Sequence, residues 1–275
     1  MTERPVMTLL KLATLLLTVS FGGLFAFDRI ERELVYPFDP TEVSPRDIGL
    51  SMRAERFESG GQQLVVWVAQ PSQGKPVILY FHGNAGNLAA RAGRFQRFMA
   101  RGYGVVAPAY RGSSGSSGQP NEAALSFDAG RILQRIGQFT GDAPVVIYGE
   151  SLGTGVTLTA VDRAGVQPAA VVLEAPFTSV RAVALNAYPQ LAPVIERMKS
   201  KWDSLSRVKR LTAPLLVLHG TDDSLIPIAQ GRQIHAAARA SHKQFREVKG
   251  GHHTDLWRSD VLPDLWRFID RFGAP

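Results

Sequence analysis

The chain has 275 residues, of which 45% are hydrophobic. This is too apolar for a disordered protein, and the length suits one large α/β domain or two small ones. Cysteine is absent, which excludes disulfides, thiolate metal sites and a cysteine nucleophile. The formal net charge of +7 favours an anionic partner, either nucleic acid or a membrane surface. The sequence has no zinc-ligand spacing, RNA-binding aromatic pattern or recognition-helix signature, so we do not expect nucleic acid as a partner.

The N-terminal segment is strongly apolar. Residues 5–27 read PVMTLLKLATLLLTVSFGGLFAF and carry a single charge, on Lys11. Roughly 20 residues cross a bilayer, and a lysine near one end can extend to the interface. A cleaved signal peptide would need a small-x-small cleavage site, and a buried core helix would be apolar on one stripe only. We therefore predict an uncleaved transmembrane anchor over residues 1–28, followed by a polar linker over 29–49.

Basic residues flank the predicted anchor almost equally on its two sides. Arg4 and Lys11 lie on the N-terminal side, whereas Arg29 and Arg32 follow it. The count of Lys and Arg therefore does not decide the orientation. Because a short tail ahead of a signal-anchor usually stays in the cytoplasm, we predict a single-pass protein of a bacterial inner membrane with its main domain in the periplasm.

Strand-like and helix-like segments alternate along residues 50–275. Short segments, mostly apolar and β-branched, predict strands at 63–69, 76–81, 103–110, 143–149, 169–175 and 213–220, and the order of the segments predicts a further strand at 243–250. Helical periodicity predicts helices at 88–102, 121–139, 152–164, 228–240 and 255–272. This order predicts one α/β domain with a mostly parallel central sheet and helices on both faces.

The sequence Gly149-Glu150-Ser151-Leu152-Gly153 stands between a predicted strand and a predicted helix. In a nucleophile elbow at this position, a sharp turn raises the serine hydroxyl above the edge of the sheet. The flanking glycines fit, because a side chain there would clash with neighbouring backbone. An ordinary strand-to-helix turn is the alternative. We predict that Ser151 is a catalytic nucleophile.

A nucleophilic serine needs a base, and the base needs a carboxylate that orients it. In sheets of this type the three groups follow in the order Ser, acid, His. Asp222 and Asp223 follow the predicted strand 213–220, at the end where sites form in open α/β sheets. His252 and His253 follow the last predicted strand. The sequence therefore offers two candidates for the acid and two for the base.

Catalysis by a serine also needs donors for the developing oxyanion. The motif His82-Gly83-Asn84 follows a predicted strand and is close to the His-Gly loops of lipases. The backbone amides of Asn84 and of Leu152, the residue after the nucleophile, are the predicted donors. A glycine-rich loop made for packing is the alternative. His82 precedes Ser151, the wrong order for a base, and is predicted to be structural.

Six motifs occur in collinear order: HGNAGN, YRGSSGSSGQPNE, GESLGTG, EAPFTSV, HGTDDSLIP and GGHHTDLW. Together, over about residues 30–272, they resemble the α/β-hydrolase superfamily, and within it the single-anchor α/β-hydrolase-domain proteins, whose eukaryotic members include protein depalmitoylases. The resemblance implies an α/β-hydrolase fold and a serine hydrolase activity. It also implies that Asp223 is the acid, because residues 219–227 fit the family pattern His-Gly-x-x-Asp-x-x-apolar-Pro.

The resemblance leaves two registers open for the base. His253-Thr254-Asp255 fits the family's His-Asn-Asp triplet with Thr in place of Asn, whereas Gly251-His252 fits a looser Gly-His form. Successive side chains on an extended loop point to opposite sides, so only one of the two histidines can face the nucleophile. We predict that it is His253.

Residues 178–210 lie where this superfamily usually carries a lid, and their length predicts a few short helices. The end of the segment is basic, with Arg197, Lys199, Lys201, Arg207, Lys209 and Arg210. A solvated surface is one interpretation of this cluster. A surface that faces anionic lipid headgroups beside the anchor is the other.

Ser151, His253 and Asp223 are thus predicted to form a triad that cleaves carboxylic esters or thioesters through an acyl-enzyme. The amides of Asn84 and Leu152 would form the oxyanion hole, and no metal or organic cofactor is expected. The expected partners are a small-molecule or lipid-like acyl substrate and the membrane. A serine peptidase is the alternative among enzymes, and an inactive membrane-tethered interaction protein is the alternative outside them.

Overall fold

A computed structural model of the protein describes residues 27–274. The transmembrane anchor predicted over residues 1–28 lies outside this range, apart from its last two residues. No helix within the described range is long and apolar enough to cross a membrane. The anchor therefore stays a prediction.

An eight-stranded, mostly parallel sheet forms the centre of the domain, in the order β1-β2-β4-β3-β5-β6-β7-β8. The strands are β1 (Arg53–Ser59), β2 (Gln62–Ala69), β3 (Val77–Phe81), β4 (Gly104–Pro108), β5 (Val145–Glu150), β6 (Ala170–Glu174), β7 (Leu215–Gly220) and β8 (Lys243–Val248). β2 runs antiparallel to β1 and to β4, and all other neighbours are parallel. The predicted mostly parallel sheet is confirmed.

Helices cover both faces of the sheet. They are α1 (residues 27–35), α2 (Ala92–Met99), α3 (Glu122–Gln134), α4 (Gly137–Thr140), α5 (Leu152–Ala164), α6 (Val180–Ala187), α7 (Ala192–Ile195), α8 (Ser204–Val208), α9 (Ile228–Ala237) and α10 (Leu262–Phe272). One apolar core joins one sheet face to α3, α5, α8 and α9, and a second core joins the other face to α2 and α10. All residues of β3, β4, β6 and β7 are buried, as expected for parallel strands covered on both faces.

The segment predicted as a linker packs against the domain. Residues 27–35 are helical, and the Tyr36 hydroxyl donates to Ser200 Oγ at 3.0 Å and accepts from Trp202 Nε1 at 2.9 Å. Phe38 forms a backbone bridge with Gly86. Contacts of Tyr36 and Phe38 thus hold residues 29–49 against the domain, although the prolines and charges of this segment predicted a polar linker.

Two elements differ from the predicted pattern. β1 was not predicted, because its sequence RAERFES is mostly charged and only Phe57 and Ser59 are buried. It is an edge strand that gains its order from pairing with β2 along its whole length. The last helix begins at Leu262 rather than at residue 255, with a proline in its first turn, where the missing N–H breaks no helical hydrogen bond.

Candidate active site

Ser151 occupies a sharp turn between β5 and α5, with φ 51° and ψ −115°. Such a positive φ is strained for a residue with a side chain, and strain of this kind concentrates at functional sites. The turn also requires its glycines. A Cβ on Gly153 would overlap the carbonyl oxygen of Phe81, and one on Gly149 would lie 2.6 Å from the carbonyl oxygen of Gly153. The geometry is that of a nucleophile elbow.

Asp223 lies directly after β7 with its side chain buried. Its Oδ1 accepts the backbone amides of Leu225 at 3.0 Å and Ile226 at 2.8 Å, which leaves Oδ2 for another donor. Burial would raise the pKa of the Asp223 carboxyl, but hydrogen bonds from His253 and Ile226 hold the pKa below its ordinary value. Asp222, the competing candidate, is exposed to solvent. The carboxylate that can orient a base is therefore that of Asp223.

His253 joins the nucleophile to the acid. Its Nδ1 lies 2.8 Å from Asp223 Oδ2, and its Nε2 lies 2.9 Å from Ser151 Oγ. Since an ionised carboxylate only accepts hydrogen bonds, Nδ1 carries the proton, and Nε2 is left to accept the proton of the Ser151 hydroxyl. The structure thus brings together all three residues that the sequence predicted for the triad.

The neighbouring His252 points the other way. It is exposed, and its Nδ1 lies 3.1 Å from the carbonyl oxygen of Asp222. Its backbone amide donates to Asp255 Oδ1 at 2.6 Å, which fixes the start of the loop. The two histidines diverge as the alternation of an extended chain requires.

The loop predicted to bind the oxyanion, residues 82–87, is called the oxyanion loop below. It lies against the elbow, since a Cβ on Gly153 would be only 3.0 Å from the His82 carbonyl oxygen. The His82 ring donates from Nδ1 to the Gly83 carbonyl at 2.7 Å. That carbonyl shares a trans peptide with the Asn84 amide, so the amide points away from the His82 ring. Among the described residues, neither the Asn84 nor the Leu152 amide has a hydrogen-bond acceptor.

The other two histidines near the site are structural. Burial lowers the pKa of His82 to about 3, so its ring stays neutral. Burial also lowers the pKa of His219, whose Nε2 donates to the Ile226 carbonyl at 2.8 Å. Within the described chain, no group of three or more His, Asp or Glu side chains has the arrangement of a metal site.

A buried ionic cluster that was not predicted from the sequence lies next to the elbow. Arg91 pairs with Glu150, the residue before the nucleophile, and Arg94 pairs with Glu174 at the end of β6. Trp257, four residues after His253, donates to Glu174 Oε2 at 3.1 Å. The sequence signals this cluster only through Glu150 and Glu174, each of which ends an apolar strand. It does not indicate which arginines pair with them.

The predicted lid over residues 178–210 consists of α6, α7, α8 and a short 3-10 turn. Helix α6 has no fully buried residue. Tyr188, Leu191 and Val194 are all exposed on this segment. The segment predicted as the lid therefore has two sides: Ile195, Trp202 and Val208 are buried, whereas a second set of apolar side chains faces its surroundings.

Comparisons with known proteins identify the family of the chain. Residues 72–204 and 202–257 match the family described as Serine aminopeptidase, S33. The lysophosphatidylserine lipase ABHD12 of Rattus norvegicus is 33% identical over 220 residues, which cover 70% of this chain and 55% of that protein. Protein ABHD12B of Homo sapiens is 31% identical over 229 residues, or 74% of this chain and 63% of that one. The chain thus spans little more than half the length of these curated relatives.

Solved structures share the fold. An esterase of Pyrococcus furiosus, Pf2001, superposes with a TM-score of 0.67 at 12% identity, covering 86% of this chain and 96% of the other. At this identity the likeness concerns the fold alone. It confirms the α/β-hydrolase architecture that the motifs implied.

Proposed function

The chain belongs to the serine hydrolases of the α/β-hydrolase fold, in the family described as Serine aminopeptidase, S33, and from this premise we propose that it cleaves carboxylic esters or thioesters. The observation that carries the proposal is the position of the His253 ring. It lies 2.9 Å from Ser151 Oγ and 2.8 Å from Asp223 Oδ2. These contacts support a proton path from the nucleophile to an oriented base.

The proposed reaction runs in two halves. His253 accepts the proton of Ser151 as Oγ attacks the acyl carbonyl, and Asp223 stabilises the imidazolium that forms. The amides of Asn84 and Leu152 donate to the developing oxyanion. The leaving group departs with the proton from His253, and a water molecule activated by the same histidine hydrolyses the acyl-enzyme.

We propose a lipid-like acyl ester as the substrate class. Two features support it: the curated relatives include proteins named lysophosphatidylserine lipase, and the predicted lid, which follows the carboxyl end of β6, exposes apolar side chains. A purified chain should therefore hydrolyse p-nitrophenyl esters, with activity rising from acetyl toward longer acyl groups, and Ser151→Ala should not. A palmitoyl thioester assayed in parallel separates ester from thioester preference.

Adding aminoacyl p-nitroanilides to the ester assay distinguishes the esterase from a peptidase and from an inactive protein. The matched family is described as an aminopeptidase, which keeps a serine peptidase as the second candidate. A peptidase would turn over aminoacyl p-nitroanilides well and the esters no better. An inactive interaction protein would turn over neither class of substrate.

We further propose that lid and anchor share one membrane-facing surface. Contacts between α1 and the lid support it: Glu31 accepts the backbone amides of Lys199 at 3.0 Å and Ser200 at 2.7 Å. Ile30 and Leu34 on α1 are exposed, as are the apolar residues of the lid. The proposed setting is a single-pass protein of a bacterial inner membrane, with this domain in the periplasm.

Vesicle binding tests the membrane surface. The chain without residues 1–26 should sediment with vesicles that contain anionic lipid, since the lid is both apolar and basic. Binding should weaken for a Leu191→Ser/Val194→Ser variant. Equal, weak binding of both proteins to neutral and anionic vesicles would contradict the proposal.

A further inference from the structure

Arg91, in the 3-10 turn that follows the oxyanion loop, forms a two-point ion pair with Glu150 at the end of β5. Arg91 Nε lies 3.2 Å from Glu150 Oε2, and Arg91 Nη2 lies 3.1 Å from Glu150 Oε1. The side chains are 9% and 16% exposed. Such a fork fixes the relative orientation of its two planar groups, which a single contact does not. Because Glu150 directly precedes Ser151, the pair acts next to the nucleophile.

The same guanidinium holds the oxyanion loop. Arg91 Nη1 donates to the carbonyl oxygens of Ala85 and, at 3.3 Å, of Asn87. Arg91 itself ends the short 3-10 turn that follows this loop. One side chain therefore ties the loop backbone to the carboxylate beside the nucleophile.

Gly83 lies directly on the ion pair. A Cβ at Gly83 would be 3.1 Å from Glu150 Oε1 and 3.2 Å from Arg91 Nη2. The carbonyl of Gly83 and the amide of Asn84 belong to one rigid peptide unit. A shift of the pair would therefore move the amide that is proposed to bind the oxyanion.

Glu150 is held as a charged group. Tyr80 donates to its Oε2 at 2.6 Å. Burial would raise the pKa of Glu150, but Arg94 and Arg91 lower it to about 2. The ion pair is thus present throughout the neutral pH range in which an esterase is assayed.

We infer that Arg91 and Glu150 are positioning residues, whose forked ion pair sets the Asn84 amide at the correct distance from Ser151. They touch neither the substrate nor the triad side chains; they act through the loop. The inference rests on the proposed ester hydrolase function and deepens it. It adds a device for the oxyanion hole that the triad alone does not supply.

The test compares Arg91→Lys with a matched control, Arg111→Lys. Arg111 forms a similar, mostly buried fork with Asp128, at 2.7 and 2.8 Å, and neither residue hydrogen-bonds to a triad side chain. Lysine keeps the positive charge but cannot form the two-point contact.

We expect Arg91→Lys to lower kcat for a p-nitrophenyl ester at least tenfold, with KM within twofold. Affinity for an aryl boronic acid, which forms a tetrahedral adduct on the serine, should fall in parallel. Arg111→Lys should lower Tm while kcat and boronic acid affinity stay within twofold of the wild type.

A purely structural role predicts a different pattern. If Arg91→Lys changes Tm but leaves kcat and boronic acid affinity as unaffected as Arg111→Lys does, the inference is wrong. If Arg91→Lys does not fold, Glu150→Gln, which retains the shape of the side chain, is measured against the same two outcomes. A wild type that hydrolyses no ester and forms no boronic acid adduct would instead contradict the proposed function itself.

Discussion

Hydrogen bonds around Ile226 fix the orientation of the Asp223 carboxylate. The Ile226 amide donates to Asp223 Oδ1, and the Ile226 carbonyl accepts from His219 Nε2. Both backbone groups of Ile226 are thus hydrogen-bonded, which fixes the loop of residues 221–227. The second carboxylate oxygen of Asp223, Oδ2, faces His253. Preorganised partners of this kind lower the reorganisation needed during the reaction. At the residue scale, the orientation of His253 is therefore set by groups that never meet the substrate.

The histidine pair gives a prediction at this scale. His253→Ala should reduce kcat by roughly 10⁴-fold or more, because it removes the base of the triad. His252→Ala should reduce kcat only modestly, since its exposed ring contacts the Asp222 backbone and not the nucleophile. Steady-state ester hydrolysis by the two variants measures the difference. The reverse ranking would place the base one residue earlier.

Chain order and family motifs together predicted the residues that the structure brings together. Ser151 and Asp223 follow apolar strands, whereas His253 follows the largely polar strand β8. The family patterns selected Asp223 as the acid and His253 as the base, and alternation along the loop turns His252 away. The partners of Glu150 could not be predicted. Arg91 lies 59 positions away in the chain, and no periodicity links the two.

At the element scale, the buried parallel strands were predictable because continuous apolar segments are covered on both faces. β1 was not, since an edge strand with charged residues takes its order from hydrogen bonds to β2. Residues 255–261, before α10, were predicted to be helical from their periodicity. Instead, this stretch supports the loop that carries His253. Arg258 donates to the carbonyl oxygens of Lys249 at 3.0 Å and Gly250 at 2.7 Å.

The nucleophile elbow gives a prediction at this scale. Gly153→Ala should destabilise the fold by several kcal/mol, because the added Cβ would overlap the Phe81 carbonyl at the crossing of two buried elements. Gly93→Ala is the control, since a Cβ there meets no atom within 4 Å. Gly93 lies in the first turn of α2, so this change should be neutral or stabilise by at most roughly 0.5–1 kcal/mol. Thermal unfolding of both variants measures the contrast, and similar Tm values would contradict the elbow geometry.

At the scale of the whole molecule, the described N-terminal segment and the lid form one packed unit. Helix α1 leads into Tyr36, whose hydroxyl contacts the lid segment at Ser200 and Trp202. The chain that enters the domain from the predicted anchor therefore passes directly beside the lid. This proximity could not be predicted from the sequence, in which residues 29–49 have the composition of a linker.

Acid stability gives a prediction for the whole domain. The pKa of Glu150 is lowered to about 2 in the folded protein, against about 4.3 in an unfolded chain. A lowered carboxyl pKa stabilises the fold above the unfolded value and loses that contribution as pH falls toward the folded value. Between about pH 4.5 and pH 2, Glu150→Gln should therefore lose less stability than the wild type. Denaturant unfolding at steps of pH measures both slopes, and equal slopes would mean that the carboxylate does not stabilise the fold.

Chemical labelling tests most directly whether Ser151 is the activated nucleophile. A fluorophosphonate probe reacts with a serine that an adjacent base has activated, and peptide mass spectrometry identifies the modified residue. We expect a single phosphonylated residue, Ser151, in the wild type, and little or no modification in His253→Ala. Modification of a different serine, or an unlabelled wild type under conditions that label a control esterase, would contradict it.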